Sequence, residues 1–269
     1  MRPLKDETFV VIDVATTGFR PEADEPVEIS AVKIKKGEII AHDTWRVKPS
    51  VKIPPAASAH HELRDKDVAN SPALSEVQAD IEKFVGDNTI IMHNTAVGES
   101  LDKAMLPFLH DRTWICNARL SKHMWPQLTE SEKGFPLANH DVWTLTYWLD
   151  KPGLNQLDSQ VYETKACAAA TAHVFNQALG LYLENGNEPT VEALYEFTEQ
   201  PVKLAMMPRG MYKNVCMTEL PQSYFKTLLS EIRTTEETLD RDYVHTIEQE
   251  ASRRIEDMYG YKGGVRKFK

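Results

Sequence analysis

The sequence has little of what secreted, membrane-spanning or strongly basic proteins require. Its three cysteines, Cys116, Cys167 and Cys216, are scattered and form neither a CxxC pair nor a metal-ligand spacing. An odd, dispersed set of this kind indicates reduced thiols. No apolar run reaches the length of a membrane span, and the mostly polar residues 1–8 do not resemble a signal peptide. We therefore expect a cytoplasmic protein.

Positive charge is also in short supply. The 269 residues include 31 Lys and Arg against 40 Asp and Glu, which gives a net charge of −9. A broad, non-specific grip on nucleic acid usually needs a basic surface, so this balance argues against one. It leaves room for a local basic groove on an acidic body.

Hydrophobic patterning predicts an α/β layer fold. Strands are expected at 8–14, 27–35 and 38–47, with Lys36-Gly37 as a hairpin turn between the last two. Shorter strands at 89–92 and 113–116 then alternate with helices, which is typical of a mixed sheet flanked by helices. Trp143, Tyr147 and Trp148 share a helical spacing and are expected in the core.

Gly186 and Pro189 predict a boundary between a domain at 1–184 and a small, mostly helical C-terminal region at 185–269. That region is expected to hold a compact stretch at 206–229 and one long charged helix at 234–258. The helix carries a narrow apolar stripe that suits packing either on its own domain or on a partner protein. The basic, aromatic end of the chain is either a single-strand binding tail or a disordered terminus.

The run from Phe9 to Gly18 reads as a buried strand that carries Asp13 to its end. Two-metal nucleases often place a second carboxylate two residues later, on the same face of the strand. Ala15 stands there in this chain and cannot bind a metal. The segment therefore has the frame of a phosphodiesterase site without part of its chemistry.

Several motifs, in order along residues 8–180, resemble the DnaQ-like 3′–5′ exonucleases, the DEDDh branch of the ribonuclease H-like fold, and within it the exodeoxyribonuclease X subgroup. They are the segments 12–18, 27–32, 59–61 with 67–69, 93–96, and 114–120 with 125–126. The stretch 207–214 also resembles a small C-terminal module of that subgroup, with Arg209, Met211 and Asn214 departing from its pattern.

The resemblance implies a site in which four carboxylates hold two divalent metals and a histidine activates water. Asp13 matches the first acid, Ala15 falls on the second and Gly98 on the third. With Tyr162 as the anchor of the last motif, Glu163 matches the fourth acid and Asp158 replaces the histidine. A register two residues later would place Gln160 and Lys165 at those positions instead.

The resemblance therefore implies a degenerate exonuclease homologue of bacterial or phage type with no metal cofactor. Its role would be to bind nucleic-acid ends or to bind a protein through 234–258 or the old cleft. The alternative is an active 3′–5′ exonuclease that uses Mg²⁺ or Mn²⁺ through Asp13, Glu99 and Glu163.

Candidate nucleic-acid contacts follow from the same motifs. Thr16, Thr17 and Gly18 could approach a terminal nucleotide through backbone groups. His61 and Asn94 match family positions, the first near the substrate and the second in the loop before the third acid. Lys165 is a candidate phosphate ligand. The competing interpretation is structural, with His61 and Asn94 shaping loops and Lys165 neutralising Asp13 and Glu163.

Overall fold

The core of the protein is a mixed sheet of five strands in the order β3-β2-β1-β4-β5. The computed structural model describes residues 1–20, 22–93, 104–132, 134–149, 163–235 and 239–259. All five predicted strands are confirmed, with bounds β1 Thr8–Thr16, β2 Pro26–Lys35, β3 Glu38–Arg46, β4 Thr89–Met92 and β5 Trp114–Cys116.

The first three strands form an antiparallel meander, and β4 and β5 add to β1 in parallel. The turn between β2 and β3 has positive φ at Lys36 and Gly37, 52° and 82°, as a two-residue hairpin that follows the sheet twist requires. The ladder pairs Ile34 with Ile39 but Lys33 with Ala41, which leaves Ile40 as the extra residue of a bulge. The bulge advances the register of all later pairs by one residue.

Helices cover both faces of the sheet, which confirms the predicted layer arrangement. Their bounds are α1 Pro55–His61, α2 Leu74–Val85, α3 Asn117–Met124, α4 Val142–Leu149, α5 Thr164–Glu184, α6 Val191–Glu199, α7 Gln222–Thr234 and α8 Arg241–Tyr259. The loop after β3 ends in the helix α1, which hydrophobic patterning did not predict and which begins at a proline because an N-terminal position needs no N–H donor. No helix in the described residues is long and apolar enough to cross a membrane.

The α5 helix packs across β1 and β2 and builds the larger core cluster. The Phe175 ring meets Phe9 edge-on, with the ring centroids 5.0 Å apart. Small side chains let the helix approach the strands closely; those buried in α5 include Ala166, Ala168, Ala169, Ala170, Ala172 and Ala178. On the other face, α2 packs Ile81 and Val85 against the apolar residues of β1 and β2.

Among the described residues, both α6 and α8 of the C-terminal region contact the sheet domain. The α6 helix lies in the larger core, and Val191 donates its backbone N–H to the carbonyl of Arg2 at 2.9 Å. Further along, Arg119 in α3 forms a 3.1 Å ion pair with Asp242 in α8. The boundary between residues 184 and 185 stays a prediction.

The prediction of one helix over 234–258 is wrong. The α7 helix ends at Thr234, and α8 begins at Arg241 because Asp240 accepts the Tyr243 backbone N–H at 2.9 Å, as an N-cap does. Most of the apolar stripe packs inside the C-terminal region, where Tyr243 and Ile247 join Phe225 and Leu228 of α7. The exposed part of the stripe is Ile255 and Met258. Residues 260–269 lie outside the described part of the chain.

We expect Phe175→Ala to lower the free energy of unfolding by about 3–5 kcal/mol, because it removes a fully buried ring from the contact between α5 and the sheet. Urea denaturation followed by circular dichroism measures the change. Phe135→Ala is the matched control, since that ring is 67% exposed and its loss should cost little. Equal losses for the two variants would contradict the placement of α5.

Candidate functional site

The end of β1 presents Asp13 and Ala15 on the sheet face that α5 covers. Directly opposite them on β2 stand Ser30 and Glu28, paired as Asp13 with Ser30 and Ala15 with Glu28. Residues paired directly in an antiparallel ladder point to the same face, so all four side chains share one surface. The position that lacks a carboxylate in β1 therefore faces a carboxylate in β2.

Glu28 is a buried carboxylate with its charge paired inside the protein. Its Oε2 atom accepts from Arg46 Nε at 2.9 Å and from Arg46 Nη2 at 2.8 Å. Its Oε1 atom accepts from the Thr164 hydroxyl at 2.8 Å. Both oxygens are thus occupied, one by a charge-assisted pair of donors and one by a hydroxyl from the first turn of α5.

Three hydroxyl groups continue this network away from Glu28. The Ser30 Oγ lies 2.7 Å from Thr164 Oγ1 and 2.8 Å from Thr44 Oγ1. Ser30 and Thr164 are both buried. The network links β2, β3 and the start of α5, so it fixes the helix relative to the acidic end of the sheet.

Asp13 has an unusual proton affinity. Burial, and then the negative charge of Glu28, raise the pKa of Asp13 from 3.8 to about 7. Near neutral pH this carboxyl is therefore close to half protonated. A cation that binds to it has to displace a proton.

A thiol on α5, Cys167, lies within electrostatic reach of Asp13, and an indole on α4, Trp143, forms a hydrogen bond with that thiol. Burial raises the pKa of the Cys167 thiol, and the charge of Asp13 adds to that effect, while a hydrogen bond from Trp143 opposes it. Cys167 therefore stays a neutral thiol and is a poor nucleophile. Trp143 in turn lies next to Tyr147, with ring centroids 6.5 Å apart.

Tyr147 is 69% exposed, so the expectation that it belongs to the core is wrong. Helical spacing alone could not show that α4 covers α5 with only one side and leaves this ring in solvent. A second exposed aromatic, Phe19 at 73%, follows the loop after β1 and meets the His60 ring edge-on at 5.7 Å. Neither ring was predicted as a functional candidate from the sequence. The signal for Phe19 is an aromatic residue directly after the loop motif that ends at Gly18. The signal for Tyr147 is an aromatic residue on the helix that precedes the last acidic motif.

The loop after β1 is held in a fixed shape. The Thr16 hydroxyl donates to the Gly18 carbonyl at 2.6 Å, and the Thr17 hydroxyl bonds Asp24 at 3.2 Å. A Cβ on Gly18 would lie 2.5 Å from an Asp24 carboxylate oxygen, so the close approach requires glycine. The loop is thus braced from within.

His61, at the end of α1, supports the same loop from outside. Its Nε2–H donates to the Thr16 carbonyl at 3.2 Å, and its Nδ1 accepts from the Leu63 backbone N–H at 3.2 Å. Burial lowers the pKa of His61, which favours the neutral ring that this pattern requires. These contacts agree with a loop-shaping role.

His93 is a buried structural histidine. Its Nε2–H donates to the His140 carbonyl at 2.8 Å, and its Nδ1 lies 3.1 Å from the Asn117 side-chain amide. Burial lowers the pKa of His93 to about 4. The ring therefore stays neutral and anchors the end of β4.

The other predicted site residues fall in two groups. Glu163 is exposed at the N-cap of α5 and makes no side-chain cap bond, and half-buried Lys165 lies in the first turn of that helix. The proposed direct coupling of Asp13 with Glu163 stays a prediction; the carboxylate that acts on Asp13 is Glu28. The predicted positions outside the described residues are Asn94, Gly98, Glu99 and Asp158.

Among the described residues, no group of three or more His, Cys, Asp or Glu side chains is placed to hold a metal. Sequence reasoning missed Glu28 and Arg46 as site residues. The signal for Glu28 is a charged residue inside an apolar strand, but the pairing of Arg46 depends on the Ile40 bulge and carries no local signal.

Comparison with known proteins points to one family. A family model described as an exonuclease matches residues 10–109. A DNA polymerase III of the PolC type from Clostridium perfringens is 36% identical over 91 residues, which cover 34% of this chain and 6% of that protein. The PolC-type polymerase of Bacillus cereus is 28% identical over 192 residues, which cover 70% of this chain and 12% of that one.

The chain thus corresponds to a small part of these relatives, so their activities as whole proteins do not transfer to it. Among solved structures, Exonuclease X in complex with 5′ overhanging duplex DNA aligns with a TM-score of 0.50 and 22% identity. The alignment covers 71% of this chain and 99% of that one. This likeness shows the ribonuclease H-like exonuclease fold and confirms the predicted fold class.

We expect Asp13→Asn to stabilise the protein at pH 8 and to change little at pH 4.5. The folded chain holds a proton on Asp13 up to about pH 7, whereas the unfolded chain releases it near pH 4. The free energy of unfolding of the natural chain therefore falls as pH rises between these values. Asparagine cannot ionise, so the variant should gain about 2–4 kcal/mol at the higher pH.

Urea denaturation at the two pH values measures this difference. Asp80→Asn is the matched control, because Asp80 is exposed on α2 and its loss should leave the pH dependence unchanged. An Asp13→Asn variant whose stability follows that of the natural chain at both pH values would refute the assignment.

Proposed function

We propose that the chain, whose residues 10–109 match an exonuclease family model, binds the 3′ end of a nucleic-acid strand without hydrolysing it. The observation that carries the proposal is the pairing at the end of β1. Asp13 is followed on its face by Ala15, and the carboxylate opposite Ala15 already has an arginine partner. The loop after β1 is thus held in place by its own hydrogen bonds and lies next to a site with fewer free carboxylates than a two-metal mechanism requires.

The carboxylates at the end of β1 carry too little free negative charge for two-metal hydrolysis. Two-metal catalysis needs carboxylates that are free to hold both ions and to place the attacking and leaving oxygens. At the described end of β1, Asp13 is the carboxylate without an arginine partner, and a single carboxylate leaves a magnesium ion mostly hydrated. The predicted losses at Gly98 and Asp158 would remove a third acid and the histidine.

The fixed shape of the loop after β1 favours binding of a strand end. Thr16, Thr17 and Gly18 form a rigid loop whose backbone is supported by His61 and Asp24. Two exposed aromatic rings belong to neighbouring segments: Phe19 directly follows the loop, and Tyr147 lies next to the Trp143 indole that bonds Cys167. Rings of this kind stack on the bases of a single strand.

The net charge of −9 weakens any long-range attraction for a polyanion and favours the competing proposal of a protein-binding role. That role would use the surface of α8. Because Tyr243 and Ile247 are buried in the C-terminal region itself, Ile255 and Met258 are the exposed apolar residues of the stripe. We therefore favour short-range recognition of a strand end over a protein interface on this helix.

The decisive experiment combines two measurements on labelled DNA and RNA oligonucleotides. We expect no release of mononucleotides in Mg²⁺ or Mn²⁺, and we expect binding that weakens with salt with a slope of several ions. Asp13→Asn is the matched variant for the hydrolysis assay. Metal-dependent release that disappears in this variant would overturn the proposal in favour of an active exonuclease.

We expect Phe19→Ala and Tyr147→Ala each to weaken binding of a single strand by about 1–3 kcal/mol, the usual worth of one stacked base. Fluorescence anisotropy measures the change. Tyr195→Ala on α6 is the control, since that ring is 42% exposed but belongs to a different helix. Losses of equal size in all three variants would contradict recognition at this site.

A further inference from the structure

We propose that Arg46 is the resident cation of this site and stands in for divalent metal beside Glu28. The inference deepens the proposed function, because it names the group that balances the acidic end of the sheet without metal. It rests on the non-hydrolytic site but not on nucleic-acid binding. The two can therefore fail separately.

The first support is the geometry of the pair. Arg46 directs two donors, Nε and Nη2, at a single carboxylate oxygen of Glu28, at 2.9 and 2.8 Å. The Thr164 hydroxyl occupies the other oxygen at 2.8 Å. The Glu28 side chain is 6% exposed, so its charge needs a partner close by. A divalent ion could reach this carboxylate only by displacing donors that are already well placed.

The second support is the register of the sheet. Ala15, Glu28 and Arg46 stand side by side on β1, β2 and β3, each pair directly opposite in its ladder. A carboxylate at position 15 would face Glu28 as a like charge, an arrangement that favours a metal between them. With alanine there, one arginine on the next strand neutralises Glu28. Ala15 and Arg46 thus flank Glu28 on its two neighbouring strands.

The third support is electrostatic exclusion. The guanidinium stays charged at every accessible pH, so it repels a cation that approaches Glu28 as long as it remains in place. Removing its charge while keeping its volume should leave Glu28 without a charged partner, on the same face as the Asp13 carboxyl. That pair is the minimum from which a hydrated divalent ion could gain affinity.

The test is Mn²⁺ binding to the full chain without nucleic acid, followed by the electron paramagnetic resonance of free Mn²⁺. We expect Arg46→Met to bind Mn²⁺ about tenfold or more tightly than the natural chain, because it frees a carboxylate for the ion. Arg46→Lys should behave as the natural chain, since it keeps the positive charge. The double variant Arg46→Met with Glu28→Gln should lose the gain.

Arg241→Met is the matched control, because Arg241 is as exposed as Arg46, at 46%, and pairs with Glu199 away from the site. It should bind no more Mn²⁺ than the natural chain. Mn²⁺ binding by the natural chain as tight as that of Arg46→Met would overturn the proposal. A gain that survives in the double variant would overturn it too.

Should Arg46→Met fail to fold, the natural chain and Glu28→Gln alone decide the question. Coinciding Mn²⁺ titrations support the proposal, and Mn²⁺ binding that disappears in Glu28→Gln overturns it. The oligonucleotide assays stand apart from this measurement. A chain that binds no nucleic acid yet gains Mn²⁺ affinity on loss of Arg46 would refute the proposed function and leave this inference intact.

Discussion

The geometry of the candidate site depends on how α5 packs against β1 and β2. Its buried alanines keep the helix close to the strands, and the Phe175 ring fixes it against Phe9. Because α5 begins at Thr164, the short distance between helix and strands lets the Thr164 hydroxyl donate a hydrogen bond to Glu28. One turn later it brings Cys167 into the field of Asp13. Packing far from the site thus decides the distances within it.

The site that results balances its charges within the protein. The sheet delivers Asp13 to the end of its first strand, but the next position on that face is Ala15. The nearby Glu28 is paired with Arg46 instead of being left for a metal. A fold can be kept while the chemistry on it changes. The proposed function, holding a strand end without cutting it, is a change of this kind.

Much of this fold could be predicted from the sequence because its signals are local. Apolar runs marked the strands, and Lys36-Gly37 marked the hairpin. The charge pair could not be predicted in this way. If the β2–β3 hairpin had no bulge, the register set by the turn would pair Glu28 with Trp45. Arg46 would then point to the other side of the sheet. The extra residue at Ile40 reverses this, and no local pattern marks it.

The same limit explains the remaining errors. The break between α7 and α8 depends on a cap at Asp240, which a search for apolar periodicity overlooks. The exposure of Tyr147 depends on how far α4 overlaps α5, which is a property of tertiary packing. Functional residues that depend on register or on exposure are therefore the ones that a single sequence hides.

The partial protonation of Asp13 near neutral pH affects the heat that calorimetry measures when a ligand binds. A ligand that brings positive charge to this carboxyl expels the proton, and one that brings negative charge draws protons in. The buffer must absorb or supply those protons, and its own heat of ionisation enters the measured enthalpy. Heats of binding at this site therefore differ between phosphate and Tris even when the affinity is the same, and the difference counts the protons exchanged.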